Sequence, residues 1–157
     1  MKYIIDSKHS VIEFQVMKFG APWEKGIFEK VWGEIVLDAE KPARNQVSVK
    51  IDIGSVKTQD PGLDKHLKSA DFFEVEKYPF ALFKSREVEK INDKKYKVKG
   101  DLTIRNIKRE TELDVVFKNG QEIEATTILN VADFEMVYGF EENHKIKINI
   151  KAKLINK

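Results

Sequence analysis

Apolar and polar residues alternate strictly along most of this chain. Val47-Ser48-Val49-Lys50-Ile51-Asp52-Ile53 sets four β-branched residues on one face and Ser, Lys and Asp on the other, the period of a half-buried strand. Ile146-Lys147-Ile148-Asn149-Ile150-Lys151-Ala152-Lys153-Leu154 does the same over nine residues. The pattern returns in Tyr96-Lys97-Val98-Lys99-Gly100-Asp101-Leu102-Thr103-Ile104, in residues 111–115 and in residues 123–127. Near the front, Gly33, Ile35 and Leu37 alternate with Glu34, Val36 and Asp38, and residues 11–17 form a strand with Ile12, Phe14 and Val16 as its inner set. Residues 19–32 read as a strand, a bend and a second strand.

Turn signals separate these runs. Residues 38–45 make a polar loop around Pro42, Ile91-Asn92-Asp93-Lys94 predicts a hairpin turn, and Asn119-Gly120 is a strong hairpin dipeptide. Such short connections give antiparallel neighbours and leave no room for crossover helices. The one clear helical stretch is 61–68, started by Asp60-Pro61-Gly62. About eight strands with one charged face, plus one short helix near 61–68, predict an all-β protein, either a sandwich or an antiparallel barrel. Runs of 8–10 residues, roughly 26–33 Å at ~3.3 Å per residue, favour an eight-stranded closed barrel, wide enough for one elongated ligand. The 157 residues show no repeat and no linker, so one domain over 1–157 is expected.

Composition narrows the functions. Lys and Arg number 28 against 26 Asp and Glu, for a formal charge of +2, and the two signs are interleaved. That is a poor footprint for nucleic acid. The chain has no cysteine, which removes a disulfide scaffold, a thiol nucleophile and a sulfur-based zinc site. No apolar run reaches the ~18 residues of a membrane-spanning helix. The first residues, through Asp6 and Lys8, lack a signal peptide's apolar stretch of ~7–15 residues. They predict a cytoplasmic location, or a periplasmic one if a leader has been removed.

No arrangement of side chains announces catalysis. His9, His66 and His144 form no His-x-x-x-His or Glu-x-x-His pair. His9 is expected to bond nearby backbone, and His144 to be solvated in a loop. Ser10, Ser69, Asp64 and Asp71 build no nucleophile elbow, and no glycine-rich phosphate loop occurs. The basic stretches 94–95 and 108–109 read as solvated turns. Trp23 suits either an entrance or plain packing. The run Phe72-Phe73, with Phe80 and Phe83 after Pro79, reads as a helix exit that plugs one barrel end or as a mobile lid over it. Alternation alone leaves the inward residues open to two readings, a dry packed core and a ligand lining.

Several segments resemble the YceI-like family. The opening Tyr3-Ile4-Ile5-Asp6-Ser7-Lys8-His9-Ser10-Val11-Ile12-Glu13-Phe14 is similar to that family's start. Residues 64–79 resemble its helix, small-Asp-Phe-Phe turn and Tyr-Pro pair. Residues 96–107 resemble its Gly-x-Leu-Thr-Ile strand, and 130–134 its penultimate turn. The chain departs at Asn106-Ile107-Lys108-Arg109-Glu110, where the family more often has Gly and Pro, and 136–142 is not diagnostic. The resemblance implies a lipocalin-like barrel that binds and carries or stores an isoprenoid lipid, either a polyprenyl chain or a quinone, with no cofactor and no catalysis. On that basis the expected lining is Phe14, Val16, Phe19, Ile35, Val49, Ile51, Leu67, Phe72, Phe83, Leu102, Leu113, Val115, Leu129, Ile148 and Ile150. His66 is the head-group candidate. Two other readings stay open. One is an enzyme acting on such a lipid, with His66 beside Asp64 or Asp71. The other is a dry-core, stress-related interaction module, with a homodimer formed through an edge strand or hydrophobic rim.

Overall fold

The computed structural model describes residues 1–18, 21–136 and 144–157. In chain order the strands are β1 Lys2–Ile5, β2 Val11–Lys18, β3 Ala21–Phe28, β4 Val31–Val36, β5 Gln46–Asp52 and β6 Val56–Thr58. Helix α1, Pro61–Lys68, follows, and then β7 Phe80–Lys90, β8 Lys95–Ile104, β9 Ile107–Asn119, β10 Glu122–Asn130 and β11 Lys145–Asn156. Among the described residues the strand pairings are antiparallel.

These segments close one eight-stranded barrel. The ring runs β1-β4-β5-β7-β8-β9-β10-β11 and returns to β1 through Tyr3↔Asn156 and Ile5↔Leu154. The other three strands lengthen it at one end. β11 pairs with β1 near its C-terminus and with β2 near its start, as in Ile148↔Phe14. β2 therefore continues the line of β1 past the Ser7–His9 3-10 turn. β3 and β4 share a line in the same way, as do β5 and β6. No ladder joins β6 to β7. The chain between them is α1 and residues 69–79, whose Leu67, Phe72 and Phe73 are buried.

Local chemistry explains the ends of these elements. Asp60 caps α1 by accepting from the Gly62 amide, with Pro61 at the first helical position. Asn92 Oδ1 accepts from the amides of Lys94 and Lys95 and closes the β7–β8 turn. The β8–β9 turn is a two-residue hairpin, with Arg105 at φ 54 and Asn106 at φ 62. Two left-handed residues in succession are what a type I′ turn requires. This chain therefore makes the turn without the glycine and proline the family more often has there. Gly26 is forced by a close approach, since a Cβ there would lie 2.4 Å from the Phe14 ring.

Inward residues fill the barrel: Ile12, Val31, Val98 and Val131 are almost fully buried. Among the described residues no helix is long and apolar enough to cross a membrane.

Candidate ligand-binding interior

Alternation turns every second side chain of the wall toward the barrel axis. Two voids lie along that axis, of about 60 and 30 Å³. Val49, Leu113 and Ile150 line both and form a waist between them. The larger void carries only two polar residues, Thr111 and Thr127. The smaller carries only the hydroxyl of Tyr96. No Asp, Glu, His, Lys or Arg is among the lining residues of either. An engineered cavity that takes up benzene measures about 150 Å³, so the interior here is closed down by its own side chains. A chain-like guest must turn them aside to lie along the axis.

The ends differ. Phe73 plugs the end near α1, edge-on to Phe28 at 5.7 Å and to Phe72 at 4.7 Å, and Phe28 leans on Phe14 at 5.1 Å. Arg105 pins this plug. Its guanidinium donates to the carbonyls of Glu135 and Ala70 and pairs with Glu74 at 3.6 Å. Glu74 and Glu135 are also left-handed, at φ 49 and 56. The strained residues thus converge on one cationic anchor, a pattern typical of functional clamps. At the far end, the small void meets an open groove of about 700 Å³ through Leu37, Val88, Tyr96 and Phe117. Tyr96 and Phe117 meet there edge-on at 5.6 Å. Lys90, Lys94 and Lys118 share that rim with Asp38, Glu40 and Asp93.

The expected lining divides. Phe14, Ile51, Phe83, Leu102, Leu129 and Ile148 border the larger void, Ile35 and Val115 the smaller, and Val49, Leu113 and Ile150 both. Val16, Leu67 and Phe72 are buried but border neither. Phe19 lies outside the described residues. His66 borders neither void and sits half-buried on α1.

One histidine expectation needs correction. His144 is 4% exposed, with its Nδ1 3.3 Å from the Met17 carbonyl, and is not solvated. Its position at the start of β11 draws it into the wall. The His9 ring bonds the side chain of Asp6 at 2.7 Å, while the His9 amide donates to the Asp6 carbonyl at 3.1 Å. The ring bond is the largest influence holding the Asp6 carboxyl below its usual range.

Of the two acids considered with His66, Asp64 is already engaged in structure. Asp64 accepts from the amide and hydroxyl of Thr58 at 2.7 and 2.6 Å. Asp71 is exposed. Among the described residues, no group of three His, Asp or Glu side chains could hold a metal.

Sequence reasoning placed Phe73 in a helix exit that plugs or covers one barrel end but left it off the lining, and it missed Met136, the two inward threonines and Arg105. It also missed Glu24, whose Oε2 is buried with no hydrogen-bond partner among the described residues. Burial raises the Glu24 pKa, and the nearby Asp60 charge adds to that. Only the inward phase of Thr111 and Thr127 was available in the sequence. Arg105 gave no sequence signal, since its partners Ala70, Glu74 and Glu135 are far along the chain, and neither did Glu24, whose burial comes from the fold.

A closed eight-stranded antiparallel barrel with an apolar axis and one plugged end defines a lipocalin-like architecture. The pattern that defines the YceI-like domain matches residues 3–154, and the chain belongs to that family. A UPF0312 protein of Photorhabdus laumondii is 40% identical over 113 residues, 72% of this chain and 58% of its own length. Protein YceI of Escherichia coli is 35% identical over 109 residues, 69% of this chain and 56% of its own. The chain thus spans a little under three fifths of the curated relatives it matches. The crystal structure of Burkholderia cenocepacia BcnA superimposes with a TM-score of 0.83 at 21% identity, over 97% of this chain and 99% of that one. A polyisoprenoid binding domain from Saccharophagus degradans, implicated in plant cell wall breakdown, superimposes at 0.67 with 15% identity over 98% of each chain.

Proposed function

We propose that this protein binds an isoprenoid chain, a polyprenyl lipid or the tail of an isoprenoid quinone, along the barrel axis and carries or stores it without reaction. The observation behind this is the interior itself, a line of apolar side chains running from the Phe73 plug to the Tyr96 groove with no Asp, Glu, His, Lys or Arg among its described lining residues. The polyisoprenoid-binding domain of the same fold supports the choice of ligand. Each buried CH₂ is worth roughly 0.8 kcal/mol, so a five-carbon unit contributes about 3–4 kcal/mol before repacking and ordering costs. Several units outweigh the cost of turning the waist residues aside. General acid–base work needs a titratable group within hydrogen-bond reach of the substrate, and among the described residues the axis offers only the Tyr96 hydroxyl, at its far end. That scarcity argues for a carrier over an enzyme.

The test is native mass spectrometry of protein purified without detergent, followed by solvent extraction. A stoichiometric apolar adduct with a five-carbon mass repeat is expected, and its head group will name the substrate. Bare protein from the native host, refusing added geranylgeraniol as well, would overturn the reading.

A further inference from the structure

The barrel wall is not closed everywhere. The β9–β10 ladder starts at Asn119↔Glu122 and stops at Asp114↔Thr126. Beyond it, residues 107–113 of β9 keep their β8 partners, as in Glu112↔Lys99, and residues 127–130 of β10 keep their β11 partners, as in Ile128↔Lys147. Both strands are thus held on their far sides and have no ladder between them. The 3-10 turn Val131–Phe134 touches both strands beyond the opening, with Phe134 buried. A window results, bounded below by the last rung and above by Phe134.

An outer groove of about 450 Å³ sits over this window. Thr111, Thr127 and Leu129 line that groove and also the larger interior void. In a laddered wall, side chains alternate between the two faces, so an inward residue has no access to the outside. Three residues that border both spaces put the groove directly against the void at the seam, with only those residues between them. Ile128, on the outer face beside the window, is 63% exposed. The outer acids of β9 are answered on the β8 side, as in Lys97–Glu112 at 3.0 Å. The residues the register would bring opposite them on β10, Thr126, Ile128 and Asn130, offer no cation. No charge pair pulls the seam shut. Unpaired strand edges inside a barrel are costly, so their presence at this spot, directly over the void, calls for a use.

We infer that this window is a lateral portal, through which an apolar chain enters tail first while its head group stays in the outer groove. The inference rests on the isoprenoid-binding reading above. It differs from passage through the open Tyr96 end in its consequence: locking β9 to β10 must stop traffic while leaving the far mouth untouched.

Extending the register puts Glu112 opposite Ile128, in the same phase of the ladder as Val116 opposite Glu124. The chain has no cysteine, so the pair E112C/I128C can be bridged cleanly with bis-maleimidoethane, and V116C/E124C serves as a control within the intact ladder. The probe is dansyl-labelled geranylgeraniol supplied from phosphatidylcholine vesicles. Bridging 112 to 128 is expected to slow both loading and release at least tenfold, while bridging 116 to 124 leaves them unchanged. T127W, which fills the throat from the inside, is expected to slow loading similarly and decides the matter if the bridged protein misfolds. Loading at the unbridged rate in both variants would overturn the portal and leave lipid binding standing. Failure of the unbridged protein to take up the probe would bring down both.

Discussion

Arg105 ties the helix exit at Ala70 and Glu74 to Glu135. A half-buried guanidinium with two carbonyls and a carboxylate makes charge-assisted bonds of the stronger kind. Arg105→Ala leaves the Glu74 carboxylate and two carbonyls without their donor, and is expected to cost about 1–3 kcal/mol. Arg105→Lys should recover only part of this, because an ammonium cannot reproduce the planar fork. Urea unfolding of the two variants checks the order, and equal stability of wild type and Arg105→Ala would remove the clamp from the account. Glu24 makes the opposite case. Its folded pKa is raised by burial, so the protonated form suits the fold better than the ionised one. Its contribution is fully present below the unfolded value near 4.5 and is lost as pH rises through the folded pKa. Glu24→Gln is therefore expected to raise the melting temperature at pH 7 and to make little difference at pH 4. A variant that melts lower at pH 7 would show that the ionised carboxylate is satisfied after all.

Elements that were easy to read in the sequence are those fixed by local rules. Period two marked the long strands, and Asp60-Pro61-Gly62 together with the apolar spacing of Leu63 and Leu67 placed α1 at its observed bounds. Alternation also says which residues point inward. It does not say which inward residue meets a void, and Val16, Leu67 and Phe72 differ from Phe14 only in what stands opposite them. Where a ladder stops is a long-range matter too: β9 alternates as cleanly beyond Asp114 as before it. His144 likewise follows a polar stretch, and only the pairing of β11 with β2 explains its burial. The helix exit separates packing from function. Phe72 and Phe73 are both buried, but only Phe73 borders the void. Phe72→Ala and Phe73→Ala should each cost about 3–5 kcal/mol. Only Phe73→Ala should also change the equilibrium uptake of geranylgeraniol, by enlarging the axial space. Equal uptake by the two variants would mean that the plug does not shape the site.

For the molecule as a whole, the closed-down interior makes stability and occupancy one quantity. The folded barrel alone offers an apolar axis, so a bound chain stabilises it by RT ln(1 + [L]/Kd). At a hundredfold excess over Kd that is about 2.7 kcal/mol, or about 5–11 °C in Tm for a chain of this size. The cost of turning the waist residues Val49, Leu113 and Ile150 aside is already inside Kd, and it falls mainly on the first units to enter. A series of prenols of increasing length should therefore give little shift for the shortest chain. Each further five-carbon unit should then give a steeper rise, followed by a plateau once the chain spans the barrel from the Phe73 plug to the Tyr96 groove. Differential scanning calorimetry on solvent-extracted protein measures this directly. A shift that simply scales with total carbon, with neither lag nor plateau, would describe detergent-like adsorption on exposed apolar residues such as Trp32, Phe80 and Leu82. The axis would then be a dry core.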